Sequence, residues 1–171
     1  MTEPVALIPE DRTTEGLVPS LSLAENLVLG LPTDRRFCRG PWIDWRAAIN
    51  RTAELIPAFD IRAGGPTAPA RSLSGGNQQK LVLARALEAG PKVVVAENPT
   101  RGLDVHATAF IHDRLRRVAS EGAAVLVYSA DLDEVLALAD RVVVMYRGRL
   151  IVVAPGTPRD RIGEMMLGAG S

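Results

Sequence analysis

Apolar residues along this chain follow two rhythms, one helical and one continuous. Behind Asp44, the residues Trp45, Ala48, Ile49, Thr52, Leu55 and Ile56 recur at helical spacing. They predict a helix with Asp44 as its N-cap, ended or kinked at Pro57. Ser22 and Glu25 make a capping box ahead of Asn26–Leu29. Ser74 caps a helix reaching about Ala89, where Gly90-Pro91 stops it. Asp104 caps another, whose Ile111, Leu115 and Val118 share one face. Asp131 opens a short helix through Leu138, and a last short helix follows Thr157.

Between these helices lie continuous apolar runs of strand length. Val93–Ala96 shows no polar alternation and reads as a strand covered on both faces. Ala123–Tyr128 reads as a second buried strand and Arg141–Tyr146 as a third. Arg147-Gly148 then turns the chain into a hairpin arm, Arg149–Val153. Strand, helix, strand, helix, strand in that order implies a parallel sheet in an α/β fold. Ile8–Arg12 reads as a turn, Arg35–Pro41 as a loop, and Gly64–Pro69 as the best internal boundary. Three parts are expected: residues 1–70 with a helical subdomain, 71–156 as an α/β core, and 157–171 as a terminal helix and tail.

Bulk properties narrow the partners. The chain has 171 residues, 47% hydrophobic and 23% charged, with no net charge. That balance is ordinary for a globular domain and argues against a nucleic-acid partner. The single cysteine, Cys38, excludes an internal disulfide and suits a reducing compartment. The start, Met1–Pro4, lacks the basic and apolar regions of a signal peptide. No apolar run approaches the roughly 18 residues of a membrane span. A soluble chain able to dock on a membrane protein is expected. Trp42 and Trp45 are expected to pack rather than bind, and His106 and His112 to be surface helix residues without metal. Arg114, Arg116 and Arg117 read as a solvated face.

The candidate chemistry centres on Leu73–Lys80, which reads LSGGNQQK. Gly75 and Gly76 let an anion approach the backbone, and the helix start offers unpaired N–H groups with a partial positive charge. Ser74 adds a hydroxyl, and Asn77 or Gln78 an amide. Three residues alone would equally describe a plain capped helix. The longer string resembles the signature motif of ABC-type ATPases, and the order of later segments agrees. Val93–Thr100 is similar to a Walker B strand, Arg101–Asp104 to a D-loop, and Tyr128–Glu134 to the switch-histidine region. Pro9–Arg12 with Glu15–Val18 resembles the Q-loop region, most of all that of the second nucleotide-binding domain of sugar and nucleoside importer ATPases.

The resemblance implies a partial ABC-type, P-loop NTPase-like domain with a helical subdomain, binding ATP and Mg²⁺. Several positions depart from the family pattern. Glu97 falls at the Walker B carboxylate and could hold Mg²⁺, or cap nearby backbone at the strand end. Asn98 takes the place of the catalytic Glu, and an amide gives no general-base help. A register with Ala96 and Glu97 as the acidic pair would need an inserted residue. Ala130 stands at the switch-His position and Glu10 at the Q-loop Gln. The chain's lysines are Lys80 and Lys92, and neither lies in a Gly-rich loop ending Lys-Ser/Thr. The resemblance therefore implies one half of a shared site. Ser74, Gly75, Gly76, Asn77, Gln78, Asp104 and Glu10 would face nucleotide, and a partner ATPase domain would supply the Walker A loop. A transmembrane permease would be the second partner, placing the chain at the cytoplasmic face of the cell membrane. A non-catalytic permease-docking module and a truncated product without function remain the alternatives.

Overall fold

The structure, a computed structural model, describes residues 5–32 and 34–168. Met1–Pro4, read above for a leader, and the end of the tail at 169–171 lie outside the described residues. The chain divides into two compact units, Met1–Tyr128 and Ser129–Ser171.

The first unit is built on a parallel sheet in the order β1–β4–β5, with β1 Val5–Ile8, β4 Val93–Glu97 and β5 Ala124–Tyr128. Ile8 pairs with Ala96, and Ala96 with Val127. β1 is not among the expected strands: Ile8 falls in the segment read as a turn, and Val5–Leu7 carry no assignment in the sequence. Ala6 and Ile8 of β1 and Val94 and Ala96 of β4 are buried. Helix α3 (Gly75–Glu88) packs against β1, and α4 (Val105–Ser120) against β5.

The expectation of cover on both faces fails. Val5, Leu7, Leu126 and Tyr128 point to the other face and are 64%, 51%, 62% and 53% exposed. An unbroken apolar run shows that both sides of a strand tolerate burial, but it does not supply the second layer. Among the described residues, one face of this sheet is open.

The helical lobe lies between β1 and α3. A π-helical turn, Arg12–Gly16, leads to α1 (Leu23–Leu29), a small β2–β3 ribbon (Cys38–Arg39 and Trp42–Ile43) and α2 (Trp45–Ala58). Both expected caps form: the Ser22–Glu25 box at α1, and Asp44 accepting from Ala47 N at α2. Leu27, Val28, Leu31, Phe37, Ala48 and Leu55 make the lobe's core. The Arg35–Pro41 loop is crossed by the β2–β3 ribbon, which carries Trp42 to the surface. Trp42 is 77% exposed and Trp45 44%, so neither is the packing residue expected. Both precede Ala48, where the buried stripe of α2 begins.

Ionic contacts tie this lobe to α3. The buried Glu88 carboxylate at the end of α3 accepts from Arg36 Nη1 at 2.8 Å and from Arg51 Nε at 2.8 Å. Gly64–Pro69 is itself stitched to α1, with Leu23 N donating to Ala68 O and Ala24 N to Pro66 O. Arg114 departs from a solvated face: its guanidinium stacks on Phe59 and Phe110 and donates to Ala58 O.

In the second unit, α5 (Leu132–Leu138) starts at Asp131 as expected. Strand β6 (Val143–Tyr146) does not extend the parallel sheet. It pairs antiparallel with β7 (Arg149–Val152) alone among the described residues. The reason is local: Arg147 and Gly148 both adopt positive φ, 46° and 77°, which closes a two-residue hairpin. Helix α6 (Arg159–Met166) packs on β6 through the buried Ile162, and Arg159 pairs with Asp133 of α5 at 2.7 Å.

Candidate nucleotide-facing site

The parallel pairing of β1 with β4 aligns their exits at the carboxyl end of the sheet, where open α/β sheets bind ligands. Glu10 and Asn98 each follow a register partner, Ile8 and Ala96, by two residues. They meet: Asn98 Nδ2 donates to Glu10 Oε2 at 2.8 Å. The same Glu10 carboxylate is ion-paired with Arg101. A tight turn brings Arg101 back. Asn98 takes a left-handed φ of 41°, its N–H donates to Tyr128 O at 2.7 Å, and Arg101 N donates to Asn98 O at 3.1 Å.

Asp11 sets the arms on either side of it. Its carboxylate accepts from the Thr13 hydroxyl and from the N–H groups of Thr13 and Thr14, which holds its pKa far below the usual range. Glu10 then faces Asn98, while Arg12 reaches toward α3 and donates to Arg101 O at 3.3 Å.

The start of α3 is differently made. Ser74 has the extended N-cap conformation, yet its side chain makes no cap bond to the helix. Its Oγ instead accepts from Asn77 Nδ2 at 2.9 Å. The first bond of the helix is Gln78 N to Ser74 O, so the N–H groups of Gly75, Gly76 and Asn77 have no acceptor within it. Both glycines lie close to neighbouring side chains. A Cβ on Gly75 would lie 2.8 Å from Arg12 Nη2, and one on Gly76 would lie 3.2 Å from Ala107 Cβ at the start of α4.

Other expected residues fall as follows. Asn77 Oδ1 accepts from Arg62 N at 2.8 Å, and Gln78 Nε2 donates to Ala70 O at 3.3 Å, so both amides also hold the loop before α3. Asp104 caps α4 through Ala107 N at 2.8 Å, and that bond lowers its pKa. Ala130 is exposed in the second unit. Lys80 is structural: its Nζ lies 2.6 Å from Asp60 Oδ2 and above the Phe110 ring. Three residues outside the expected site complete its frame, namely Arg12, Arg101 and Gln79. Gln79 is buried and donates to Pro99 O at 2.9 Å, tying α3 to the turn after β4. The order of two adjacent glutamines in a string could not say which one is buried.

The start of α3 fits a phosphate, with N–H donors, a hydroxyl and close backbone approach. The end of β4 offers a divalent cation at most the Glu97 carboxylate. Glu10 is already neutralised by a guanidinium, and among the described residues no three metal-ligating side chains converge on Glu97 or elsewhere. A surface depression of about 380 Å³ near Gly90, Lys92 and Gly122 lies at the opposite, amino end of the strands, away from these residues.

This is the fold of ATP-binding cassettes. The fold matches a dimeric bacterial ABC transporter cassette with a TM-score of 0.69 at 23% identity, covering 89% of this chain and 64% of that one. A dimeric cassette in a post-hydrolysis state bound to ADP and Pi matches equally, at 22% identity. No protein-family model matches the chain. In sequence, the homologues of the chain are ATP-binding proteins of sugar and nucleoside importers. It is 39% identical over 166 residues to the nucleoside import ATP-binding protein NupA of Lactococcus lactis, covering 96% of this chain and 33% of that protein. It is 42% identical to the ribose import ATP-binding protein RbsA 1 of Streptomyces coelicolor, over 88% of this chain and 29% of that protein. It is 44% identical to the xylose import ATP-binding protein XylG of Burkholderia ambifaria, over 85% of this chain and 28% of that protein. The chain thus spans about a third of the length of the curated relatives it matches.

Proposed function

We propose that this chain is part of the energy-coupling component of an ABC-type importer for simple sugars or nucleosides. In this reading its Ser74–Gln78 turn completes an ATP site whose phosphate loop lies on a partner ATPase domain. One observation carries the reading. The N–H groups of Gly75, Gly76 and Asn77 are left without an intrahelical acceptor, while Glu10, Asn98 and Arg101 engage one another. The first arrangement offers donors to an incoming anion. The second leaves neither a general base at Asn98 nor a free carboxylate at Glu10.

The partners follow from the same reading. The helical lobe, within residues 17–70, would meet a transmembrane permease, and the exposed Trp42 and Trp45 on that lobe support docking there. Residues 71–156 would carry the nucleotide-facing core and 157–171 the terminal helix. The chain would work at the cytoplasmic face of the membrane, and none of its described helices is long and apolar enough to cross one. Mg²⁺ would be held mainly by the partner's half of the site, with Glu97 the nearest candidate ligand here. The open apolar face of the sheet supports the view that more of a cassette covers it.

Calorimetric titration of the purified chain with ATP tests the half-site. The expected result is no measurable binding, because a few backbone donors and one hydroxyl cannot hold a triphosphate alone. Tight binding by the isolated chain would overturn the proposal.

A further inference from the structure

Arg12 and Gln79 both hold the turn after β4. Gln79 Nε2 donates to Pro99 O at 2.9 Å, and Arg12 Nη1 donates to Arg101 O at 3.3 Å. Gly75 and Gln79 stand one helical turn apart on α3 and share a face of it. The Arg12 guanidinium lies against that helix at Gly75. The atoms nearest to where a Gly75 Cβ would stand all belong to Arg12: Nη2 at 2.8 Å, Cζ at 3.4 Å and Nε at 3.6 Å. Neither side chain is fully satisfied. Arg12 Nε and Gln79 Oε1 are buried and have no hydrogen-bond partner among the described residues. A buried N–H left unpaired works against stability, so stability alone does not explain an arginine here.

We propose that Arg12 is a positioning residue, the tether through which a change at the start of α3 reaches the turn after β4. Its guanidinium covers Gly75 with one amino group and bonds Arg101 O with the other. Arg101 is thereby gripped twice from one short segment: its guanidinium by the Glu10 carboxylate, and its carbonyl by the Arg12 guanidinium. The Arg12 guanidinium is the far end of a flexible side chain. Pressure or attraction at Gly75 moves it before it moves the helix, and the long bond to Arg101 O moves with it. The consequence for nucleotide rests on the proposed half-site. A phosphate on the Ser74–Gln78 turn would draw the permanent charge of Arg12, and the turn after β4 would respond.

Two-dimensional proton–nitrogen NMR spectra of the full chain test the tether without nucleotide, so the result does not depend on the half-site, which ATP calorimetry decides separately. Gly75 begins α3 without a positive φ, so Gly75→Ala suits the helix backbone, and its new methyl meets Arg12 first. In the native background, Gly75→Ala is expected to shift the amide resonances of Arg101 and Gly102. In the Arg12→Ala background that shift is expected to be lost, while the local shifts at Gly76 and Asn77 remain. The pair of backgrounds isolates the coupling in the manner of a double-mutant cycle. A shift at Arg101 and Gly102 that survives Arg12→Ala would overturn the proposal. So would the absence of any such shift in the native background. Should Arg12→Ala not fold, Arg12→Met keeps the stem without the donors, and the same outcomes decide.

Discussion

The start of α3 and the end of β4 sit in the same unit and carry polar residues in similar number, yet they use them in opposite ways. At β4, Glu10, Asn98 and Arg101 satisfy one another, and the turn between Asn98 and Arg101 is closed by main-chain bonds. At α3, side chains bond sideways, Asn77 to Ser74 and Gln78 to Ala70, and the first N–H groups of the helix have no acceptor within it. A site that is internally paired has little to offer a ligand, because binding must first break existing bonds. A helix start whose first N–H groups lack intrahelical acceptors gains bonds when an anion arrives. The difference teaches that a resemblance spread evenly along a chain can cover one end with donors to spare and one end that is paired within itself.

The largest expected effect breaks the comparison directly. Under the proposed function, Ser74→Arg in the assembled importer should lower transport-coupled ATP hydrolysis by about 10²-fold or more, the usual scale for losing a preorganised donor at reacting phosphate or oxyanion. Asn98→Ala should leave the same rate unchanged. An equal loss from both variants would mean that the two ends do not differ in function.

A smaller effect separates two adjacent glutamines of α3. Gln79→Leu removes a buried donor and leaves Pro99 O unpaired, and should cost about 1–3 kcal/mol in the urea midpoint. Gln78→Leu, whose amide reaches Ala70 O only at 3.3 Å, should cost about 0.5–1 kcal/mol. Equal costs would show that Gln79 is not the tie between α3 and the turn after β4.

The smallest effect contrasts the starts of α3 and α4. The Asp104 pKa lies below its ordinary 3.8 because its carboxylate accepts from Ala107 N. A depressed folded value means that this contribution is complete above the ordinary aspartate pKa and is lost as pH falls through the folded one. Melting temperature measured downward from pH 6 should therefore fall less in Asp104→Asn than in the native chain. Ser74 carries no charge, and Ser74→Ala should leave the acid profile unchanged. A profile untouched by Asp104→Asn would remove the charged cap from the account.

Much of the local structure was legible in order and spacing. Ser22, Asp44, Asp104 and Asp131 each begin the helix their side chains suggested, since a cap is a bond between residues two or three apart. Arg147-Gly148 marked a hairpin for the same reason. The string Leu73–Lys80 and the segments after it carried the ABC resemblance that the homologues support. What escaped was long-range. β1 was missed because four apolar residues before a proline say nothing about a partner near residue 94. β6 was assigned to the wrong sheet because its true partner, β7, competes locally.

The sequence by itself determined the helices, their caps, the family resemblance and the unusual residues at Glu10, Asn98 and Ala130, because each is a matter of residue type at a spacing. Only the tertiary structure decided that Glu10, Asn98 and Arg101 are one cluster, that Arg12 crowds Gly75, and that one face of the sheet is bare. Those facts depend on which strands lie side by side. Parallel pairing of β1 with β4 brings together residues 88 positions apart, and no local pattern encodes that meeting.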